Sequence, residues 1–167
     1  EGILLDMDTQ KAWQQLSTRL ATAGILTDNE CRVLMEKVQR LPQTVIDHCR
    51  QVSRVAQALA EALVAHNTKI NIPLIRSAAM VHDLAKSNRN HAQKGADLLN
   101  RMGFPAIAHI VANHMSIEIS NDSPLDEAQL VHLADKLVSG DSVVNLQQRF
   151  SAKLHKYGSD PQTAANI

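Results

Sequence analysis

Residues 44–66 read TVIDHCRQVSRVAQALAEALVAH, and apolar side chains recur there at Val45, Cys49, Val52, Val55, Ala56, Leu59, Ala60 and Leu63. Steps of three and four put them on one stripe of a long amphipathic helix. The same period continues on both sides. Thr27, with Glu30 three residues on, predicts a capped helix over about 28–40 that Leu41–Pro42 ends. Asn71 caps the next, with Pro73 in its first turn and Leu74, Ile75, Ala78, Ala79 and Val81 following. Further helices are predicted from Asn90 to about Met102–Gly103, from Pro105 through His114, and over about 126–139, with a loop at Ser116–Pro124. Asp141 is expected to cap a last helix over about 142–156. Near the start, Asp8 or Thr9 opens a helix over 9–22 that Gly24 closes. Apart from a strand-like run at Gly2–Leu5, little competes with this pattern, and the chain reads as all-α.

The chain has 167 residues, enough for one domain with a small appendage, and 44% of them are hydrophobic, enough for a core. Seventeen basic residues balance seventeen acidic ones, and the only aromatics are Trp13, Phe104, Phe150 and Tyr157. A surface built wholly for nucleic acid, or a base-stacking platform, is therefore not expected. No apolar run approaches the ~20 residues of a membrane span, and no signal peptide opens the chain. Cys31 and Cys49 form no CxxC and no disulfide framework, which fits a reducing, cytoplasmic setting.

Eight histidines stand out, twice the number of aromatics. His48 shares the stripe of Val45 and Val52; His82 and Asp83 are adjacent inside the apolar segment AAMVHDLA. His114 follows Ile107 and Ile110 at helical spacing, and Asp135 lies between Val131 and Val138 in LVHLADKLV. Any one of these alone would more often be a hydrogen-bonded core residue. Together they need a partner, because a buried ionised Asp costs on the order of several kcal/mol without compensation. No inward Lys or Arg at helical spacing supplies it. A divalent metal would, and imidazole with carboxylate suits Fe, Mn, Co, Ni or Zn, without the cysteines of a structural zinc site.

The ordered set His48, His82–Asp83 and Asp135, in the contexts TVIDHCRQVSRVAQALAEAL, AAMVHDLAK and LVHLADKLV, resembles the HD-domain superfamily of metal-dependent phosphohydrolases. The resemblance covers about residues 42–150. It implies a helical bundle around a metal held by His48, His82, Asp83 and Asp135. Members with two metals add two histidines between the dipeptide and the last Asp, and His91 and His114 match that order. Asp83 would then bridge, since a carboxylate has two oxygens. The subgroup with these six residues includes dinucleoside-polyphosphate hydrolases and di-iron oxygenases. His66 and His155 are expected at the surface, and His109 and His132 are candidates to support a ligand or meet substrate.

The implied reaction is hydrolysis of a phosphate ester or anhydride, of a nucleotide, by hydroxide generated at one or two divalent ions (Fe, Mn, Co, Ni, Zn or Mg). Asp83 and Lys86 are the expected catalytic residues. Lys86 and Arg89, in the basic segment LAKSNRNHAQK with Lys94, are expected to hold the substrate phosphate. Lys86 follows the dipeptide in the HDxxK form. No residue stands out as a general acid, and Glu118 and Asp122 are the nominees in the loop after His114. Met115 and the run Lys136–Asp141 depart from the dinucleoside-polyphosphate hydrolases, so the metal site carries over better than the specificity. A di-iron oxygenase and a non-catalytic nucleotide-binding regulatory module are the alternatives.

The opening GILLDMDTQKAWQQL, with Asp6 and Asp8, resembles the closing DxDT segment of molybdopterin cytidylyl- and guanylyltransferases, although Gln10 stands where those have Pro. With no initiator Met at Glu1, the expected organisation is 1–24 as the end of a preceding, fused nucleotidyltransferase domain, 25–160 as the HD domain and 161–167 as a tail.

Overall fold

The computed structural model describes residues 24–117, 125–147 and 149–151. The expectations for Gly2–Leu5, the helix over 9–22, Asp6, Asp8, Glu118, Asp122 and His155 lie outside those residues. Among the described residues six α-helices make the scaffold: α1 Asp28–Val33, α2 Gln43–Ala65, α3 Ile72–Val81, α4 His91–Arg101, α5 Pro105–Asn113 and α6 Glu127–Lys136. Among the described residues the only strands are two short ones, β1 Val138–Ser139 and β2 Ser142–Val143. The fold is all-α.

Local chemistry sets where each helix starts and stops. Thr27 and Glu30 form the expected capping box on α1, and Asp126 with Gln129 forms a second on α6. The helix expected over 28–40 widens into a π-turn at Leu34–Val38, which keeps both Leu34 and Met35 buried, and ends at Arg40 in a left-handed conformation (φ 50°). Asn71 caps α3 by accepting the Leu74 amide at 3.1 Å. At the end of α4, Gly103 (φ 88°) permits the paired bonds from Phe104 N to Leu99 O at 2.9 Å and Gly103 N to Asn100 O at 3.0 Å.

The C-terminal part departs from expectation. The helix predicted to reach 139 stops at Lys136, and Asp141 caps no helix at 142. Val138 pairs with Val143 and Ser139 with Ser142 across an antiparallel hairpin turning at Gly140 and Asp141. Gly140 takes the positive φ (61°) that a two-residue hairpin turn demands, and β-branched valines flank it. Helical backbone resumes only at Leu146.

α2, about 35 Å long at 1.5 Å per residue, is the spine: it packs on α3 and α6, while α4 and α5 pack as a pair and α5 closes on α3. Ile46, Cys49, Val52, Ala56 and Ala60 of α2 are buried with Ile75, Ala78 and Ala79 of α3 and Val131 and Ala134 of α6. Small residues along this seam let the helices approach closely. α4 and α5 meet at Gly95, where a Cβ would stand 3.3 Å from Val111 Cγ1. Gly95→Leu should therefore lower the urea midpoint by the equivalent of about 1–3 kcal/mol, because a bulky side chain forces the pair apart. Gly95→Ala should stay near neutral, the gain in helix propensity of about 1 kcal/mol offsetting the squeeze. An unchanged midpoint for the Leu variant would show that this contact is not tight.

Candidate metal centre

The six side chains singled out from the sequence come from five helices and meet at one place. His48 sits on α2, His82 and Asp83 at the exit of α3, His91 at the first residue of α4, His114 just past α5, and Asp135 in the last turn of α6. His82, Asp83 and His114 are almost fully buried and Asp135 nearly so. The imidazoles pack closely, T-shaped for His48 and His82 (ring centroids 5.3 Å apart) and for His82 and His114 (5.0 Å), and tilted for His91 and His114 (5.3 Å).

Helix ends explain how the rings are aimed. The last carbonyls of a helix lack intrahelical partners. His82, the C-cap of α3, offers Nδ1–H to Ala79 O at 2.8 Å, and His114, the C-cap of α5, offers Nδ1–H to Val111 O at 2.6 Å. His48 Nδ1 lies 2.8 Å from Gly140 O, the turn of the hairpin. With Nδ1 donating to a carbonyl, the Nε2 lone pair is left facing inward.

Those inward atoms converge on Asp83. Its Oδ1 lies 3.2 Å from His91 Nε2 and 3.5 Å from His114 Nε2, and its Oδ2 lies 3.6 Å from His82 Nε2. Asp135 Oδ1 lies 3.2 Å from His48 Nε2 and 3.8 Å from His82 Nε2. His82 Nε2, Asp83 Oδ1, His91 Nε2 and His114 Nε2 are buried with no hydrogen-bond partner among the described residues. Buried polar atoms are seldom left so. Two triads are compact enough to hold a metal ion, His48–His82–Asp83 and Asp83–His91–His114, and they share Asp83. The donor set, imidazole and carboxylate without thiolate, fits a divalent cation.

Electrostatics agrees with the donor geometry. Complete burial pushes the His82 imidazolium down to about 4, against the pull of Asp83, so this ring is neutral at pH 7. Burial also lowers His91. His48 moves up, chiefly through its hydrogen bond with Asp135. Burial alone would raise both aspartates. For Asp83 the neighbouring His114, His82 and Lys86 outweigh it, and for Asp135 the neighbours are His48, His82 and Lys136; both stay well below the usual carboxylate range.

The flanking residues separate more sharply. Lys86 Nζ lies 2.8 Å from Asp83 Oδ2 with nearly half its side chain exposed. Arg89 is exposed and has no ion pair or hydrogen bond among the described residues. Lys94 donates to Asn88 Oδ1 at 3.0 Å. His66 and His109 are exposed. His132 Nδ1 lies 2.9 Å from the His114 carbonyl and braces that segment. Sequence reasoning missed Lys136, whose Nζ holds Asp135 Oδ2 at 2.8 Å, and the Gly140 carbonyl that orients His48. Lys136, next to Asp135 in sequence, was legible as a candidate; Gly140 was not, because a backbone acceptor leaves no residue-type signal.

The family model of the HD domain matches residues 45–140, more than half of the chain. The chain belongs to the HD-domain family. HD domains bind divalent metals and are in general metal-dependent hydrolases, which agrees with the cluster of histidines and aspartates. An uncharacterized protein of Methanocaldococcus jannaschii is 25% identical over 134 residues, 68% of this chain and 79% of that one. A tRNA (cytidine(56)-2'-O)-methyltransferase of Thermoplasma volcanium is 30% identical over 121 residues, 62% of this chain but only 34% of that protein. Ribonuclease Y of Cutibacterium acnes is 37% identical over 79 residues, 43% of this chain and 14% of that protein. The match therefore spans a minor part of both named enzymes. No solved structure matches the chain. No helix among the described residues is long and apolar enough to cross a membrane.

The depressed His82 has a consequence for stability. The unfolded chain protonates this ring at its ordinary value of 6.5, the folded chain only at about 4. Its contribution is complete above 6.5 and is lost as pH falls toward 4, by at most about 1.4 kcal/mol per pH unit. His91 and His132, also lowered, act in the same sense, and raised His48 opposes them. In chelator, the urea midpoint should fall between pH 7 and pH 4.5; a flat or rising midpoint would mean that His82 is not buried as a neutral ring.

Proposed function

We propose that this HD domain hydrolyses a phosphate ester or anhydride of a nucleotide with two divalent cations. His48, His82, Asp83 and Asp135 would hold one, and Asp83, His91 and His114 the other. The observation that carries this reading is the division of Asp83: Oδ2 faces His82, while Oδ1 faces His91 and His114. A carboxylate turned to two imidazole sets is suited to bridge. When bound, the cations supply Lewis acidity toward a phosphoryl group and bring the ionisation of water toward neutral pH.

The chain's own residues supply orientation and charge. Lys86 and Lys136 each hold the Oδ2 of one aspartate, which fixes the plane of that carboxylate. Lys86, reaching solvent, can also take a non-bridging phosphoryl oxygen, and the exposed Arg89 lies three residues on to receive a more distal phosphate. Buried His82 and Asp83 close the inner side of the site against bulk water. Catalysis here is positioning and charge stabilisation more than covalent work. Two buried free cysteines, Cys31 and Cys49, accord with a cytoplasmic setting.

Elemental analysis of protein purified without chelator or affinity nickel tests the centre. About two metals per chain are expected, about one in His114→Ala and none in Asp83→Ala. A wild-type value near one, or full occupancy in Asp83→Ala, would remove the bridge. Activity is read on bis(p-nitrophenyl) phosphate and a panel of nucleotides. Lys86→Ala should keep its metal yet lose about tenfold or more in kcat/KM; a metal-depleted variant would show that Lys86 acts only by holding Asp83. Iron with an absorbance band sensitive to O₂, and no phosphate released from any ester, would favour the oxygenase reading instead.

A further inference from the structure

Arginines gather along the opposite edge of α2 from the imidazoles. A cleft of about 480 Å³ opens between α1, α2 and α3, lined by Arg32, Arg50, Arg54 and Arg76 with Asp28 and Ser53. None of the six residues of the metal centre lines it. Gln57, which does, follows His48 by nine positions, about 180° round the helix at 100° per residue. The cleft and the centre therefore occupy different edges of the same helix.

The lining tells what could bind. Four guanidinium forks in one concavity match phosphate oxygens, which they contact two at a time. Among the described residues no aromatic ring and no imidazole lines the cleft, and Asp28 is its one carboxylate, so it offers neither base stacking nor a cluster of metal ligands. The counter-charges already present are exchangeable. Asp28 pairs with Arg76 at 2.8 Å, Asp47 with Arg50 at 2.7 Å and Glu36 with Arg32 at 3.1 Å. Two thirds of the Asp28 side chain is exposed, and such surface pairs contribute little to stability. Arg54 is exposed and has no partner among the described residues. The wall behind it is fixed: buried Ser53 donates to the Arg76 carbonyl at 3.0 Å and joins the two helices.

We propose that this arginine cleft is a second ligand site, separate from the metal centre, that takes a small anion carrying two or more phosphate groups. A bounded concavity on a chain of zero formal net charge suits a compact polyphosphate better than a strand of nucleic acid, which needs cations spread along its backbone. The phosphates can come from an inorganic polyphosphate or from a nucleotide. The cleft shares no residue with the metal centre, so the inference stands whether or not the centre proves dinuclear.

The test is calorimetric titration of the full chain with inorganic triphosphate in the presence of chelator, then with a nucleoside triphosphate and a 20-nucleotide RNA. Triphosphate should bind, more weakly as salt rises. Arg54→Glu should weaken it by about tenfold or more, and Arg54→Gln by less, with thermal midpoints unchanged because Arg54 is exposed. Lys86→Ala should leave binding unchanged. Equal affinity for the nucleotide would identify the phosphates alone as the ligand, and tighter binding a nucleotide. The proposal is overturned if triphosphate does not bind, if both Arg54 variants bind like the wild type, if Lys86→Ala abolishes binding, or if only the RNA binds.

Discussion

An ionised aspartate buried among imidazoles is the constraint on which the rest of this structure turns. Asp83 is 1% exposed and its neighbour His82 entirely enclosed, yet the carboxylate stays charged. A low-dielectric interior tolerates that charge only with compensation close at hand. Lys86 provides part of it at Oδ2. At Oδ1 the nearest groups are two imidazoles whose Nε2 atoms, like Oδ1 itself, have no hydrogen-bond partner among the described residues. The centre is arranged for a cation, and helix placement, ring tautomers and flanking lysines all follow from that arrangement.

Helix termini do most of the arranging. A ligand in mid-helix can point inward only by its place on the wheel, as His48 does. A ligand at a helix end can also bond to a carbonyl that the helix leaves unsatisfied, and His82 and His114 do this on α3 and α5. One interaction thereby caps the helix, selects the tautomer and aims the lone pair. His132 then holds the His114 carbonyl, and the hairpin turn at Gly140 holds His48, so the supporting contacts are drawn from the backbone of neighbouring elements.

Charge is divided across α2 although the chain as a whole is neutral. One edge carries the imidazole and carboxylate cluster, and the other faces the arginine cleft. Net charge hides such segregation because it sums over faces that never meet the same ligand. The long helix keeps the two apart, its buried stripe of Cys49, Val52, Ala56 and Ala60 lying between them.

The sequence by itself determined the helices as far as α6, the caps at Thr27 and Asn71 and the identity of the converging residues. Periodicity, the Thr27–Glu30 box and the Asn71 cap are local signals that need no distant partner, and histidines or aspartates on apolar stripes are conspicuous in any chain. The ordered motif then carried the family. Tertiary structure alone decided the hairpin that replaced a helical continuation, because a turn at Gly140 competes on nearly equal local terms until Val138 packs in the core and the Gly140 carbonyl meets His48. It alone decided which oxygen of Asp83 faces His91 and His114, and the cleft formed by arginines from three helices. Those are distances between residues far apart in the chain, and spacing along a sequence does not encode the packing that sets them.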